Sequence, residues 1–255
     1  MGSKGTGPFG GSARAEPSLM EYDRSIHMKK ITVYFGNYGS GKTELSLETV
    51  LRLRAEHENV MLVDIDIVNP YFRSSEKRKM LENMGIRVVS PVYANTAVDV
   101  PSLPPDIYAA FRGSWAVFDC GGDPVGASAL GSLKPQFDAA REDTEVLFVV
   151  NTRRPFQQNA AELIESLGKI ERNARLKADG VVLNANLGPE TTGEELLEGY
   201  EIVRELERQT GIPLRRVTGT QEALAAFAEK CPDCSVETMS LTIRMRPDWM
   251  QSTGS

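Results

Sequence analysis

Beyond residue 28 the chain alternates between two hydrophobic rhythms. Short runs rich in Val, Ile, Leu and Phe recur as "ITVYF" (31–35), "NVMLVDI" (59–65), "IRVVS" (86–90), "WAVFD" (115–119), "TEVLFVV" (144–150), "GVVLNA" (180–185) and "PLRRVTG" (213–219). Most are continuously apolar rather than alternating, the mark of strands covered on both faces. Between them the apolar positions fall three and four apart, which predicts helices over about 42–56, 74–84, 104–112, 131–141, 156–174, 191–210 and 220–230. Leu163, Ile164, Leu167 and Ile170 make one such stripe; Leu196, Tyr200, Val203 and Leu206 make another. The basic run "EKRKM" reads as a solvated helix face.

Strand–helix alternation of this kind predicts an α/β fold: a doubly wound, mostly parallel sheet of about seven strands with helices on both faces. Ligands in such folds bind at the carboxyl ends of the strands. Near the end of the chain, "VETMSLTIRMRPDWM" alternates and predicts an edge strand or a strap, with Trp249 as a core anchor. The Pro-rich stretch 91–105 reads as a surface connection long enough to serve as a substrate or partner loop. Residues 28–248 are taken as one domain. Residues 1–27, rich in Gly, Ser and Pro and without periodicity, are set apart as disordered or as a cloning remnant, and 249–255 as a flexible tail. The first of these lacks the apolar core of a signal peptide.

Composition narrows the class. The net charge of −6 and pI of about 5.2 exclude a global basic field for nucleic acid, so no nucleic-acid partner is expected. No apolar run approaches the ~20 residues of a membrane span. Three cysteines are too few for a secreted disulfide scaffold, and a cytoplasmic location is expected. Cys231-Pro-Asp-Cys234 has no second C-x-x-C and no nearby His, so one chain cannot close a four-ligand zinc site with it. A turn, a redox pair, or half of a four-cysteine site across a homodimer remain open. His27 and His57 fall in no motif, which removes His-based triads.

The strongest chemical signal is "GNYGSGKT". Gly36, Asn37, Tyr38, Gly39, Ser40, Gly41, Lys42 and Thr43 satisfy G-x-x-x-x-G-K-[ST] between an apolar strand and an amphipathic helix that opens with Glu44. Glycines let successive N–H groups turn toward one anion, and the helix adds the positive end of its dipole. Lys42 supplies charge to the β- and γ-phosphates, and the Thr43 hydroxyl is a Mg2+ ligand. Carboxylates are then expected at later strand ends. "MLVDIDIVNP" offers Asp64 and Asp66, and "WAVFDCGGDP" offers Asp119, followed by Gly122 in a D-x-x-G pattern. Asp66 is ranked above Asp64, which strand alternation is taken to turn to the other face.

Together these residues resemble the SIMIBI class of P-loop NTPases: MinD, ParA, CobQ-like proteins, ArsA, the nitrogenase iron protein and the bacterial tyrosine kinases. With "VVNTRRPF" they are also similar to a group of bacterial ATP-binding proteins, over roughly residues 29–230. The resemblance implies that Asp66 orients the attacking water, that Asp119 belongs to the Mg2+ shell, and that Gly122 senses the γ-phosphate. It also implies that Asn184 contacts the base, with Asn186 second. MinD-type proteins carry a second lysine directly after the first glycine, where this chain has Asn37. A nucleotide-sandwich homodimer would therefore need another cation, from Arg73, Arg153 or Arg154. No N/T-K-x-D guanine motif follows Leu183, which favours ATP over GTP. The implied activity is a Mg2+-dependent ATPase switch acting on a protein partner or substrate, with Lys42 and Asp66 catalytic. The alternatives are a kinase or ligase-type phosphotransferase, and a GTPase or non-hydrolysing nucleotide-binding module.

Overall fold

The continuous apolar runs become strands buried on both faces. A computed structural model describes residues 26, 28–66, 76–90, 103–122, 124–185 and 191–242. The strands are β1 (Ile31–Phe35), β2 (Val60–Asp64), β3 (Ile86–Val89), β4 (Trp115–Asp119), β5 (Thr144–Val150), β6 (Gly180–Leu183), β7 (Leu214–Gly219) and β8 (Glu237–Ser240). They form one sheet in the order β3-β2-β4-β1-β5-β6-β7-β8. Every pairing is parallel. The expected seven runs are all present, and the alternating segment near the end supplies β8, so the count is eight.

The helices are α1 (Lys42–Glu56), α2 (Glu76–Asn83), α3 (Pro124–Ser132), α4 (Lys134–Ala139), α5 (Ala160–Ala174), α6 (Gly193–Thr210) and α7 (Gln221–Lys230). The expected helix at 104–112 is a 3-10 helix, Pro105–Phe111, with Ile107 and Ala110 buried. The single helix expected at 131–141 is instead two. α3 starts at Pro124 and is made of small residues without a polar stripe, so hydrophobic spacing gives it no signature. Pro135 then sits in the first turn of α4, where its missing N–H costs nothing. Caps fix the starts of later helices: Asn159 Oδ1 accepts the Glu162 N–H at 3.0 Å, and Thr192 with Glu195 forms a capping box.

Two apolar layers flank the sheet. One is packed by Ile107, Ala127, Leu130, Phe137, Leu163, Leu167, Leu196, Val203, Leu206 and Phe227 against Val33, Phe118, Phe148 and Val181. The other sets Leu45, Leu47, Val50 and Leu51 of α1 against Tyr34, Leu62, Val117 and Leu147. Cys120 is buried in the first layer. β1 lies in the middle, where the chain turns from β4 on one side to β5 on the other. That is the point at which an open parallel sheet leaves a crevice at its carboxyl edge. Residues 1–25, most of 91–105, Arg73, Asn186, Trp249 and the tail lie outside the described residues.

A candidate nucleotide site at the carboxyl edge of the sheet

The loop between β1 and α1 is shaped from outside. Asn184, at the end of β6, donates its side-chain amide to the Ser40 carbonyl at 2.8 Å. Its own oxygen accepts from the Thr218 hydroxyl of β7 at 3.0 Å. Asn151, at the end of β5, donates to the Gly39 carbonyl at 3.4 Å. Because a peptide is planar and trans, a carbonyl pulled outward turns the next N–H the opposite way. The Gly41 N–H, which follows the Ser40 carbonyl, is thus turned away from Asn184 toward the loop's concave side, as an anion cradle requires, while the Ser40 N–H donates to the Asn37 carbonyl at 3.3 Å.

Gly41 makes this possible. Its φ is 87°, and a Cβ there would sit 2.1 Å from Asn184 Nδ2, so no larger residue fits. Gly41 is also the N-cap of α1 and has no side chain to cap the first turn. The positive end of that helix is left facing the cradle. Ser40 Oγ is fully buried without a hydrogen-bond partner. Lys42 Nζ reaches back across the mouth to the Asn37 carbonyl at 2.8 Å. A cradle with an orphan hydroxyl and a lysine parked on a loop carbonyl fits a phosphate chain that would recruit both.

The acidic partners converge on the same end. Asp119 is buried at the tip of β4. Burial pushes its carboxyl up from 3.8 to about 6, opposed by the Lys42 charge and the Thr43 hydroxyl and reinforced by the Asp66 carboxylate. Lys42, Thr43, Asp66 and Asp119 therefore share one electrostatic neighbourhood. Ser46, one turn further along α1, faces the same carboxyl, although its buried hydroxyl meets no partner at hydrogen-bonding geometry. Asp66 is half-buried, and its N–H is held by Asp64 Oδ1 at 3.0 Å. Asp64 is not on the opposite face. It is the register partner of Asp119 on the neighbouring parallel strand, so the two carboxylates share the α1 side of the sheet. Residues 64 and 66 have the same parity, so alternation places Asp64 beside the site rather than behind it.

Gly122 closes the far side. A Cβ there would meet the Tyr38 N at 2.4 Å and Tyr38 Cα at 2.7 Å, so the turn after β4 rests directly on the loop's backbone. Asn37 Oδ1 accepts from the Ser166 hydroxyl of α5 at 2.6 Å, which ties the loop to that helix. Beside Asn37 and Gly122 a groove of about 480 Å3 opens between α3 and α5, with Phe156, Glu165 and Lys169 on its walls. Among the described residues no group of three or more His, Cys, Asp or Glu forms a metal site by itself. A divalent cation here would depend on Thr43, Asp119 and the phosphates of a nucleotide.

No protein-family model matches the chain, and no curated protein does. Several solved structures are similar to it. They include FtsY from Thermotoga maritima (16% identity, TM-score 0.46), where the match covers 80% of this chain and 65% of that one. Chloroplast FtsY from Physcomitrella patens is 15% identical with a TM-score of 0.49, over 77% of this chain and 60% of that one. FlhF complexed with GTP/Mg(2+) is 14% identical with a TM-score of 0.46, over 78% and 68%. The chain thus spans less than two thirds of the FtsY chains it matches. The likeness is remote, and the P-loop NTPase architecture stands on the chain's own strand order and loop.

Of the residues singled out in the sequence, Gly36 to Thr43, Asp66, Asp119 and Gly122 come together at this edge. Glu44 follows, half-buried in the first turn of α1, and Tyr38 stands 81% exposed at the crest of the loop. Asn184, expected at the base, has its amide turned under the loop and fully buried. Sequence reasoning passed over Asn151, Thr218 and Ser166. Only Asn151 had a local signal, since it ends β5 as Asn184 follows β6. Cys231 and Cys234 are joined as a disulfide in the turn between α7 and β8, away from the loop. No helix among the described residues is long and apolar enough to cross a membrane.

Proposed function

We propose that this chain is a Mg2+-dependent nucleoside triphosphatase that works as a switch, with ATP as its nucleotide. The observation that carries the reading is the shared neighbourhood of Lys42, Thr43 and Asp119 at the mouth of the glycine-rich loop. Lys42 would exchange the Asn37 carbonyl for the β- and γ-phosphate oxygens. The Thr43 hydroxyl and the Asp119 carboxylate would hold Mg2+, which supplies charge neutralisation along the phosphates when bound. Asp66, exposed enough to meet solvent and close enough to Asp119 to raise its pKa, would orient the attacking water. The Gly122 N–H, carried on the turn that lies against Tyr38, would follow the γ-phosphate and move α3 with it. A partner protein or a second copy of the chain would read that movement.

ATP is favoured because the residue three after Asn184 is Leu187, where a guanine-reading loop has an aspartate. Purified protein with Mg-ATP should release phosphate slowly without an added acceptor, and Lys42→Ala should abolish release. Competition by GTP as strong as by ATP would overturn the nucleotide assignment. A second reading, phosphoryl transfer to a small molecule, draws on the groove beside Asn37 and Gly122, which is large enough for an acceptor. Acceptor-free turnover that survives purification favours the hydrolase; its absence, with nucleotide binding intact, favours transfer.

A further inference from the structure

The turn from β5 to α5 forms a second wall of the cradle, and the mechanism above makes no use of its charges. Asn151 organises it: its N–H donates to Gln157 Oε1 at 3.0 Å, and its Oδ1 accepts the Arg153 N–H at 3.1 Å. Its carbonyl takes the Arg154 N–H at 3.0 Å, while its amide holds the Gly39 carbonyl. Two adjacent arginines leave this frame in different directions. Arg153 is committed to α6, with its Nη2 2.6 Å from Glu198 Oε2. Arg154 lies along the loop itself. A Cβ on Gly39 would fall 3.2 Å from Arg154 Nε and 3.5 Å from its Cδ and Cζ. Among the described residues Arg154 makes no ion pair.

Carboxylates gather at the other side of the same cradle. Lys42 and Asp66 both act on the buried Asp119, and Asp64 stands beside it. A nucleotide polyphosphate brought to this edge meets carboxylates, so a cation at the opposite rim of the loop would favour its binding.

We propose that Arg154 is a phosphate-binding residue, supplied by the same chain, that engages the nucleotide from the Gly39 rim of the loop. This rests on the nucleotide reading and deepens it: the second cation of the site is built in, so one chain suffices to bind the polyphosphate. The guanidinium already lies beside Gly39, in the space a side chain there would occupy. A rotation of its outer torsions brings its fork of donors to a phosphate oxygen. Its anchoring through Asn151 ties its position to the same side chain that orients the loop.

The test titrates the full chain with a non-hydrolysable Mg-ATP analogue, comparing wild type, Arg154→Met and Arg154→Lys. Met keeps the stem that packs on Gly39 and removes only the charge; Lys restores a charge without the fork. The Met variant should bind about tenfold more weakly, the scale of a lost charge-assisted hydrogen bond, and Lys should recover most of that. The wild-type affinity should also fall more steeply with salt than that of the Met variant. Binding by the Met variant within twofold of wild type would overturn the inference. So would a loss that Lys fails to restore, because shape rather than charge would then be the cause. If the wild type binds neither ATP nor GTP, the nucleotide reading itself fails, a result visible before any substitution is made.

Discussion

The side-chain amide of Asn184 and the backbone carbonyl of Ser40 meet at 2.8 Å across 144 positions of sequence. This contact turns the loop's peptide so that the Gly41 N–H faces inward, and Thr218 locks the amide's orientation from behind. Asn184→Ala would leave the buried Ser40 carbonyl without its donor, a loss of about 1–3 kcal/mol. Denaturant melts should show that loss, and nucleotide titration should show affinity falling by about tenfold as the cradle loosens. Asn184→Asp should be worse, since it sets a carboxylate against a carbonyl.

Asp119 links pH to both stability and binding. Its folded pKa of about 6 lies above the ordinary 3.8, so the folded chain holds this proton more tightly than the unfolded one. The stabilisation is complete below the unfolded value and is lost as pH rises through about 6. Burying the ionised carboxyl near neutral pH then costs on the order of 3 kcal/mol in the nucleotide-free protein. Asp119→Asn should therefore raise ligand-free stability near neutral pH by about 1–3 kcal/mol and flatten its decline across that window. The same variant should lose Mg2+-dependent nucleotide binding. If it melts lower than wild type at neutral pH, the burial argument is wrong.

Gly122 cannot gain even a methyl group without moving backbone, because its neighbour is the Tyr38 main chain rather than a flexible side-chain tip. Gly122→Ala should push the turn after β4 off the loop. Affinity for ADP should be nearly kept, while the preference for ATP over ADP should shrink by about tenfold, the scale of one lost γ-phosphate hydrogen bond. Equal loss for both nucleotides would assign Gly122 to loop packing alone.

Arg52 fastens the edge strand. Its guanidinium pairs with Glu48 at 3.1 Å and donates to the carbonyl and hydroxyl of Ser240 at 2.9 and 3.1 Å, with both charged side chains buried. Arg52→Ala removes the buried counter-charge of Glu48 and should cost about 2–4 kcal/mol. Hydrogen exchange should show β8 amides losing protection before those of β1.

Much of the fold was legible because it is written in short-range periodicity. A strand covered on both faces must be apolar at every position, and Val146 to Val150 and Val60 to Val63 show it directly. α1 was equally plain, since the glycine-rich loop sets its first residue. α3 was not, because a helix of small residues packed between a sheet and α5 needs no amphipathic stripe. The site divided in the same way. Lys42, Thr43 and Asp119 could be named because motif and strand end specify them locally.

The face on which Asp64 lies follows from parity and was misjudged, and the β4 register makes it visible. The amides that hold the loop open, the hydroxyl of Ser166 on Asn37, and the path of Arg154 over Gly39 had no such local mark. By itself the sequence determined the parallel sheet, the glycine-rich loop between strand and helix, and the carboxylate at the end of β4, since each depends on residues within a few positions of one another. Only the tertiary structure decided which side chains brace that loop and which arginine attends it. Those contacts join residues more than a hundred positions apart, brought together by the order in which the strands are laid side by side.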